Sequence, residues 1–310
     1  MKHGRGGRTS SGSGTAGVKQ GFYTGRWSYW TLVLPILALI AMFFYIPVAL
    51  AFFWSLFLER PFGGGSEFVG FQNYDRVLSD PEFWNAMWRT LIFMAIAPTL
   101  AIGLSLILAL AADRGIRISQ AARNIIIWPK AVAGASIGVV FVFIFNPFLG
   151  IFAPLNEMYP GIWNPRIDGG DAFATLVVAQ VWNGIPFNFI ILLSGLQAIP
   201  DGLAKAAAMD GSGPWRRIVD LQLPLLTPQL FLTFVLEFVG TVVEAFGLID
   251  TMTQGGPGGA TNLLIYKIYV DGFKAYDLSG AATQTALLMM FVIAMVILQF
   301  RLERFVKYER

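Results

Sequence analysis

The stretch Ser279–Phe300, SGAATQTALLMMFVIAMVILQF, decides the fold. It carries no charged residue and is long enough to cross a ~30 Å hydrocarbon layer as one helix. Working outward, five more stretches are of similar length and hold few or no charges: about Ser28–Leu58, Trp84–Ala112, Ile125–Phe145, Ala172–Ala198 and Leu225–Ile249. The composition agrees: of 310 residues, 55% are hydrophobic, 15% aromatic and 13% charged. A soluble domain carries about 25% charged residues, so half of the usual solvated surface is missing. The expected fold class is all-α, a polytopic membrane protein with about six transmembrane helices. The first stretch holds Pro35 and Pro47 and ends at Glu59-Arg60 without a small-residue cleavage pattern, so it reads as a retained span.

Charge is distributed unevenly. Residues Met1–Arg26 are rich in Gly, Ser and Thr, contain five basic residues and no acid, and read as a disordered basic tail. Residues 27–310 then form the transmembrane domain. Six spans put both ends on one side. That side collects Lys2, Arg5, Arg8, Lys19, Arg26, Arg114, Arg117, Arg123, Lys205, Arg216, Arg217, Arg301, Arg304, Lys307 and Arg310. The other side has only Arg60, Arg76, Arg89, Arg166, Lys267 and Lys274, so both termini are expected in the cytoplasm. The chain has no cysteine and one histidine, His3 in the tail, which excludes disulfides, thiolate metal sites and a histidine-based centre. No metal site, catalytic residue or nucleic-acid partner is expected.

One segment on the cytoplasmic side stands apart. Pro200–Pro224 reads PDGLAKAAAMDGSGPWRRIVDLQLP. Leu203–Met209 favours helix, and Asp210-Gly211 with Gly213-Pro214 stops it. A second short helix is expected to start after Pro214 and to end by Pro224. The small face Ala206–Ala208 suits close approach by a partner, while the same pattern also fits a helix lying on lipid.

The spacing of Ala206-Ala207, Asp210-Gly211 and Leu223-Pro224 resembles the EAA motif of permease subunits of binding-protein-dependent ABC importers. The resemblance covers nearly the whole chain. Thr253-Gln254-Gly255-Gly256-Pro257 is similar to an outer loop of the carbohydrate-type permeases. Leu264–Phe273, Asp277-Leu278, Phe145-Asn146-Pro147 and Gly213–Arg217 are most similar to permeases of sn-glycerol-3-phosphate importers. The resemblance implies a type I importer fold and a non-catalytic subunit of the bacterial or archaeal cytoplasmic membrane, forming half of the translocation path for sn-glycerol-3-phosphate or a sugar or polyol. It implies a second homologous permease, two ATPase subunits and an extracytoplasmic solute-binding protein as partners, besides membrane lipid. In that family the loop docks on the ATPase, which makes Lys205, Ala206, Ala207, Asp210, Gly211, Leu223 and Pro224 the coupling residues. Gly255, Gly256 and Pro257 would contact the binding protein. Lys205 stands where relatives have a glutamate, so the ion pair of that glutamate does not carry over. The chain has no Gly-Lys-Ser/Thr phosphate loop, so it is expected to hold no cofactor, with ATP and Mg2+ on the partner ATPase.

Inside the membrane, Glu237 and Glu244 are seven residues apart and share a helix face. They either line the translocation path or bond polar partners between helices. Asn183, Asn188 and Gln180 in the fourth span, with Thr283 and Gln284 in the sixth, are uncharged groups suited to a hydroxylated solute. Lys130 is expected to reach the interface or pair with an acid. Gly240 and Gly247 are expected to permit tight helix contact. The alternative function is a self-contained secondary carrier or channel, which would need no ATPase partner. A membrane enzyme lacks the necessary constellation of His, Cys or clustered carboxylates.

Overall fold

The computed structural model describes residues 26–60, 64–113, 120–132 and 134–303. The basic tail before Arg26 and the cations Arg114, Arg117, Arg304, Lys307 and Arg310 lie outside the described residues. The chain divides into two compact units, Met1–Leu50 and Ala51–Arg310.

The first crossing, Val33–Trp54, is formed by α1 (Arg26–Ile40) and α2 (Ile46–Trp54), joined through Ala41–Tyr45. That junction is wider than an α-turn: Ile46 N–H reaches back to Ala41 O. It lies just before Pro47, whose ring would otherwise press on the preceding turn and whose missing N–H leaves a carbonyl unpaired.

In the second unit a short antiparallel hairpin pairs β1 (Phe57–Glu59) with β2 (Ser66–Phe68), placing Phe57 opposite Phe68. The helix α3 (Gln72–Leu78) leads to α4 (Pro81–Asp113). Next come α5 (Gln120–Ile127), α6 (Gly134–Ile144), α7 (Ala153–Met158) and α8 (Gly169–Gln197). The loop after α8 carries α9 (Asp201–Met209) and α10 (Pro214–Arg216), followed by α11 (Leu223–Met252). Beyond it lie α12 (Leu264–Tyr269) and α13 (Leu278–Glu303).

Two expectations are corrected. The third stretch is not one straight span: Asn124–Lys130 and Gly134–Ile144 meet at 109°. Pro129 has no N–H to continue the ladder, and Gly134 loses more backbone freedom in a helix than any other residue would, so the apolar run breaks where its backbone is weakest. Five helices among the described residues are therefore long and apolar enough to cross a membrane, and six when the bent pair counts as one. The second correction concerns Pro224, which does not end a helix. Pro214–Met252 is continuous, because Arg217–Gln222 forms another widened turn in which Leu223 N–H reaches back to Ile218 O. The chain thus accommodates Pro47 and Pro224 by the same device.

α4 packs along α8, α8 along α11, and α6 against α11. The α4–α8 seam is built from small residues, with Ala97, Ala101 and Ala179 all fully buried. Ser105 ties it by donating to Ala101 O at 2.7 Å, and its hydroxyl also lies 3.1 Å from Ile185 O across the helices. Apolar transfer gives little drive between helices in lipid, so such close packing and interhelical bonds carry the association. Gly247 lets α6 approach, since a Cβ there would stand 3.4 Å from Ala135 N; Gly240 faces open space and makes no such contact.

Candidate functional site

The seven-residue spacing in α11 does put Glu237 and Glu244 on one face, and that face meets α8. The helices run antiparallel, so the pairings cross in order. Asn183 Nδ2 donates to Glu244 Oε2 at 2.8 Å, and Asn188 Nδ2 donates to Glu237 Oε2 at 3.0 Å. Of the five candidates Glu237, Glu244, Asn183, Asn188 and Gln284, the structure therefore brings the first four together.

The two carboxylates have different surroundings. Glu237 is 7% exposed and close to Gly184. A Cβ at Gly184 would stand 2.9 Å from the Glu237 carboxyl carbon and 3.2 Å from Ala101 Cβ, so only glycine fits. Glu244 is half-buried and takes a second donor, Lys130 Nζ at 2.7 Å. Lys130 comes from the turn where the third stretch bends, so the ion pair ties the bend to α11. Between and beside these pairs, the Thr241 hydroxyl and both amide atoms of Gln180 are buried without a partner among the described residues.

Gln284, the fifth residue, is elsewhere. Its Nε2 donates to Asp271 Oδ2 at 2.7 Å, in a cluster at the outer end of the helices. Lys267 joins that cluster, pairing with Asp271 at 2.9 Å and Asp80 at 3.4 Å. Lys267 is buried, which by itself would lower its pKa. The hydrogen bond to Asp271 and the charges of Asp271 and Asp80 more than offset this and raise it. Arg76 and Asp277 add a more exposed pair at 3.0 Å. Thr283 bonds within its own helix, to Ser279 O at 2.8 Å.

The outer loop after α11 is a chain of turns. Positive φ recurs at Gln254, Gly255, Gly258 and Gly259, and the Gly256-Pro257 peptide is cis. Thr261 Oγ1 braces it, bonding to Thr253 Oγ1 at 2.7 Å and Gly256 O at 2.8 Å. Gly255 is buried, while Gly256 and Pro257 remain partly exposed. Beneath Gly259 lies the Arg89 guanidinium of α4. On the next residue, Thr90 Oγ1 accepts from Leu264 N at 2.8 Å and seats the end of the loop on α4.

On the opposite end, α9 stops as its sequence demands. Ser212 N–H donates to Ala207 O at 3.0 Å and Gly211 N–H to Ala208 O at 3.2 Å, with Gly211 at φ 78°. This is the glycine-terminated end that explains Asp210-Gly211. Lys205, Ala206, Asp210 and Gly211 are exposed, Ala207 and Leu223 are partly buried, and Pro224 is exposed. Met209 at 83% and Trp215 at 74% exposure add large apolar groups to the same loop.

Sequence reading missed the Lys267–Asp80–Asp271 cluster, although the four-residue spacing of Lys267 and Asp271 was a signal. It counted Arg89 only as an outer cation. Its place inside the apolar stretch Trp84–Ala112 was the better clue.

Residues 101–308 match the family model described as "Binding-protein-dependent transport system inner membrane component". The chain is 41% identical over 270 residues to the sn-glycerol-3-phosphate transport system permease protein UgpA of Rhizobium meliloti, covering 87% of this chain and 92% of that protein. It is 39% identical over 288 residues to the same-named protein of Pectobacterium atrosepticum, covering 93% and 98%. In fold it is similar to a chain of a bacterial ABC transporter that imports the acidic polysaccharide alginate, with a TM-score of 0.78, 16% identity and coverage of 91% and 96%. A chain of the MetNI methionine ABC transporter is a more distant match, with a TM-score of 0.55, 18% identity and coverage of 74% and 100%.

Proposed function

This chain belongs to the family of inner-membrane components of binding-protein-dependent transport systems, and from that premise we propose that it forms half of the translocation path for sn-glycerol-3-phosphate. As a member of that family it is a multi-pass permease subunit of an ABC importer. The observation that carries the solute reading is its 39–41% identity, over nearly the full length of both chains, to permeases named for that solute.

The working assembly is this chain, a second homologous permease, two ATPase subunits and an extracytoplasmic binding protein, with both termini in the cytoplasm. ATP and Mg2+ bind the ATPases. ATP closes the ATPase pair, the coupling loops move together, and the spans pass from inward- to outward-facing. Such a change needs a bistable interface and no reactive residue. The 200–224 loop is our candidate for the ATPase contact. Its exposed Ala206, Met209 and Trp215 provide an apolar docking face, and Lys205 would meet an acid on the ATPase. Gly255–Pro257 would meet the binding protein, and residues 1–26 would stay a cytoplasmic tail.

Within the membrane we assign Glu244 and Lys130 to the path, because this pair is the half-open part of the seam, with buried Asn183 holding Glu244 from behind. Glu237 and Asn188 hold the helices together, and Gln284 holds the outer end. Two bare carboxylates would repel an anionic solute. Lys130 neutralises Glu244 at 2.7 Å and removes that objection.

The test is reconstitution of the five-part complex in liposomes. Solute-dependent ATP hydrolysis and uptake of sn-glycerol-3-phosphate are expected; uptake by this chain without an ATPase would instead establish a self-contained carrier. Lys205→Glu is expected to weaken co-purification with the ATPase severalfold, and unchanged assembly and coupled hydrolysis would remove Lys205 from the contact.

A further inference from the structure

Among the described residues, Arg89 has no counter-charge. Its Nη1 is buried and has no hydrogen-bond partner among the described residues, and no carboxylate among them forms an ion pair with it. A guanidinium does not lose its proton to escape this position, and an unpaired buried charge is costly. Arg60, Arg76 and Lys267 pair with acids and Lys274 bonds the Tyr266 hydroxyl. Arg166 also lacks an ion pair among the described residues but is exposed, whereas the Arg89 Nη1 is buried. The Arg89 side chain as a whole is partly exposed.

The cover over it is backbone. A Cβ at Gly259 would stand 3.4 Å from Nη1 and 3.8 Å from Nη2, so the guanidinium lies directly against this residue. Gly258 and Gly259 both have positive φ, at 57° and 76°, and neither N–H donates a backbone hydrogen bond among the described residues. Successive free N–H groups in such a turn form an anion-binding concavity. A guanidinium beside a turn of this kind matches the planar, multiply accepting face of a phosphate.

We propose that Arg89 and the Gly258–Gly259 turn form an anion-recognition site at the outer mouth, which takes the phosphate group of an incoming organophosphate. The inference rests on the solute reading given above. It assigns the recognition of charge to the entrance, and leaves the Glu244–Lys130 pair to the interior.

The experiment uses the complete complex in liposomes with its binding protein and sn-glycerol-3-phosphate. Arg89→Gln is expected to lower uptake about 10-fold, the scale of one lost charge-assisted bond pair. Arg89→Lys should keep an intermediate rate, because an ammonium holds the charge without the fork. Stimulation of ATP hydrolysis by the solute-free binding protein should not change. Unchanged uptake with Arg89→Gln overturns the site while leaving the solute reading intact. An equal loss of stimulation by the solute-free binding protein overturns it too, since Arg89 then serves the docking of that protein and not the recognition of the solute. A wild-type complex that imports only uncharged solutes overturns both readings. Should Arg89→Gln fail to assemble, Arg89→Lys decides alone: severalfold slower uptake supports the site and wild-type uptake overturns it.

Discussion

Glu237 and Glu244 stand two turns apart on α11 and each accepts a hydrogen bond from an asparagine of α8, yet their surroundings differ. Glu237 is sealed between Gly184, Ala101 and Asn188. Glu244 is half-open and shared between Asn183 and a lysine from the bend in the third stretch. The same residue type at the same face thus serves as a packing element in one place and as an ion-pair partner of the turn at the bend in the other. The difference comes from the neighbours: glycine at 184 admits a carboxylate that a methyl group would exclude.

The largest expected effect tests the sealed side. Gly184→Leu forces the Glu237 carboxyl and Ala101 apart and should cost about 3 kcal/mol, the upper range for overpacking. Thermal unfolding of the purified complex measures it, and an unchanged Tm would mean that the α8–α11 seam is loose. Next, Glu237→Ala leaves Asn188 without its partner and should cost about 2 kcal/mol, whereas Glu237→Gln should cost less than about 1 kcal/mol. If Glu244→Ala destabilises as much as Glu237→Ala, the contrast between the two sites is broken.

The outer cluster gives a third measure, because Lys267 is a buried cation with two acids. Lys267→Met should cost about 1–2 kcal/mol by leaving Asp271 with Gln284 alone. Its raised pKa fixes the sign: the contribution is complete below the ordinary lysine value of about 10.4 and is lost as pH rises through the higher folded value. The Tm gap between wild type and Lys267→Met should therefore stay constant from neutral pH to about pH 10 and narrow only above it. A gap that closes near neutral pH would assign the effect to another group.

The smallest effect on stability is expected at the open side. Lys130 and Glu244 are each more than a third exposed, so a double-mutant cycle of Lys130→Met and Glu244→Gln should give a coupling below about 1 kcal/mol. Uptake should separate the two. Lys130→Met leaves a bare carboxylate toward an anionic solute and should slow uptake more than Glu244→Gln, and the reverse order would take this pair off the path.

Much of this was legible in the chain itself. Ser279–Phe300 and its counterparts specify membrane helices because an uncharged run of that length has no other stable solvent. The seven-residue spacing of Glu237 and Glu244 sets a shared face, and Asp210-Gly211 sets the end of α9, since only glycine takes its left-handed conformation without cost. Local pattern did not reach further. That Pro129 breaks its stretch while Pro47 and Pro224 are absorbed by widened turns depends on how the neighbouring backbone rearranges. That Asn188 meets Glu237, that Gln284 meets Asp271, and that Arg89 lies beneath Gly259 without an acid are contacts between residues distant in sequence. The chain supplies the charges and the faces; only packing decides which of them are paired, because in a medium of low polarity each charge takes the partner that the approach of two helices brings within reach.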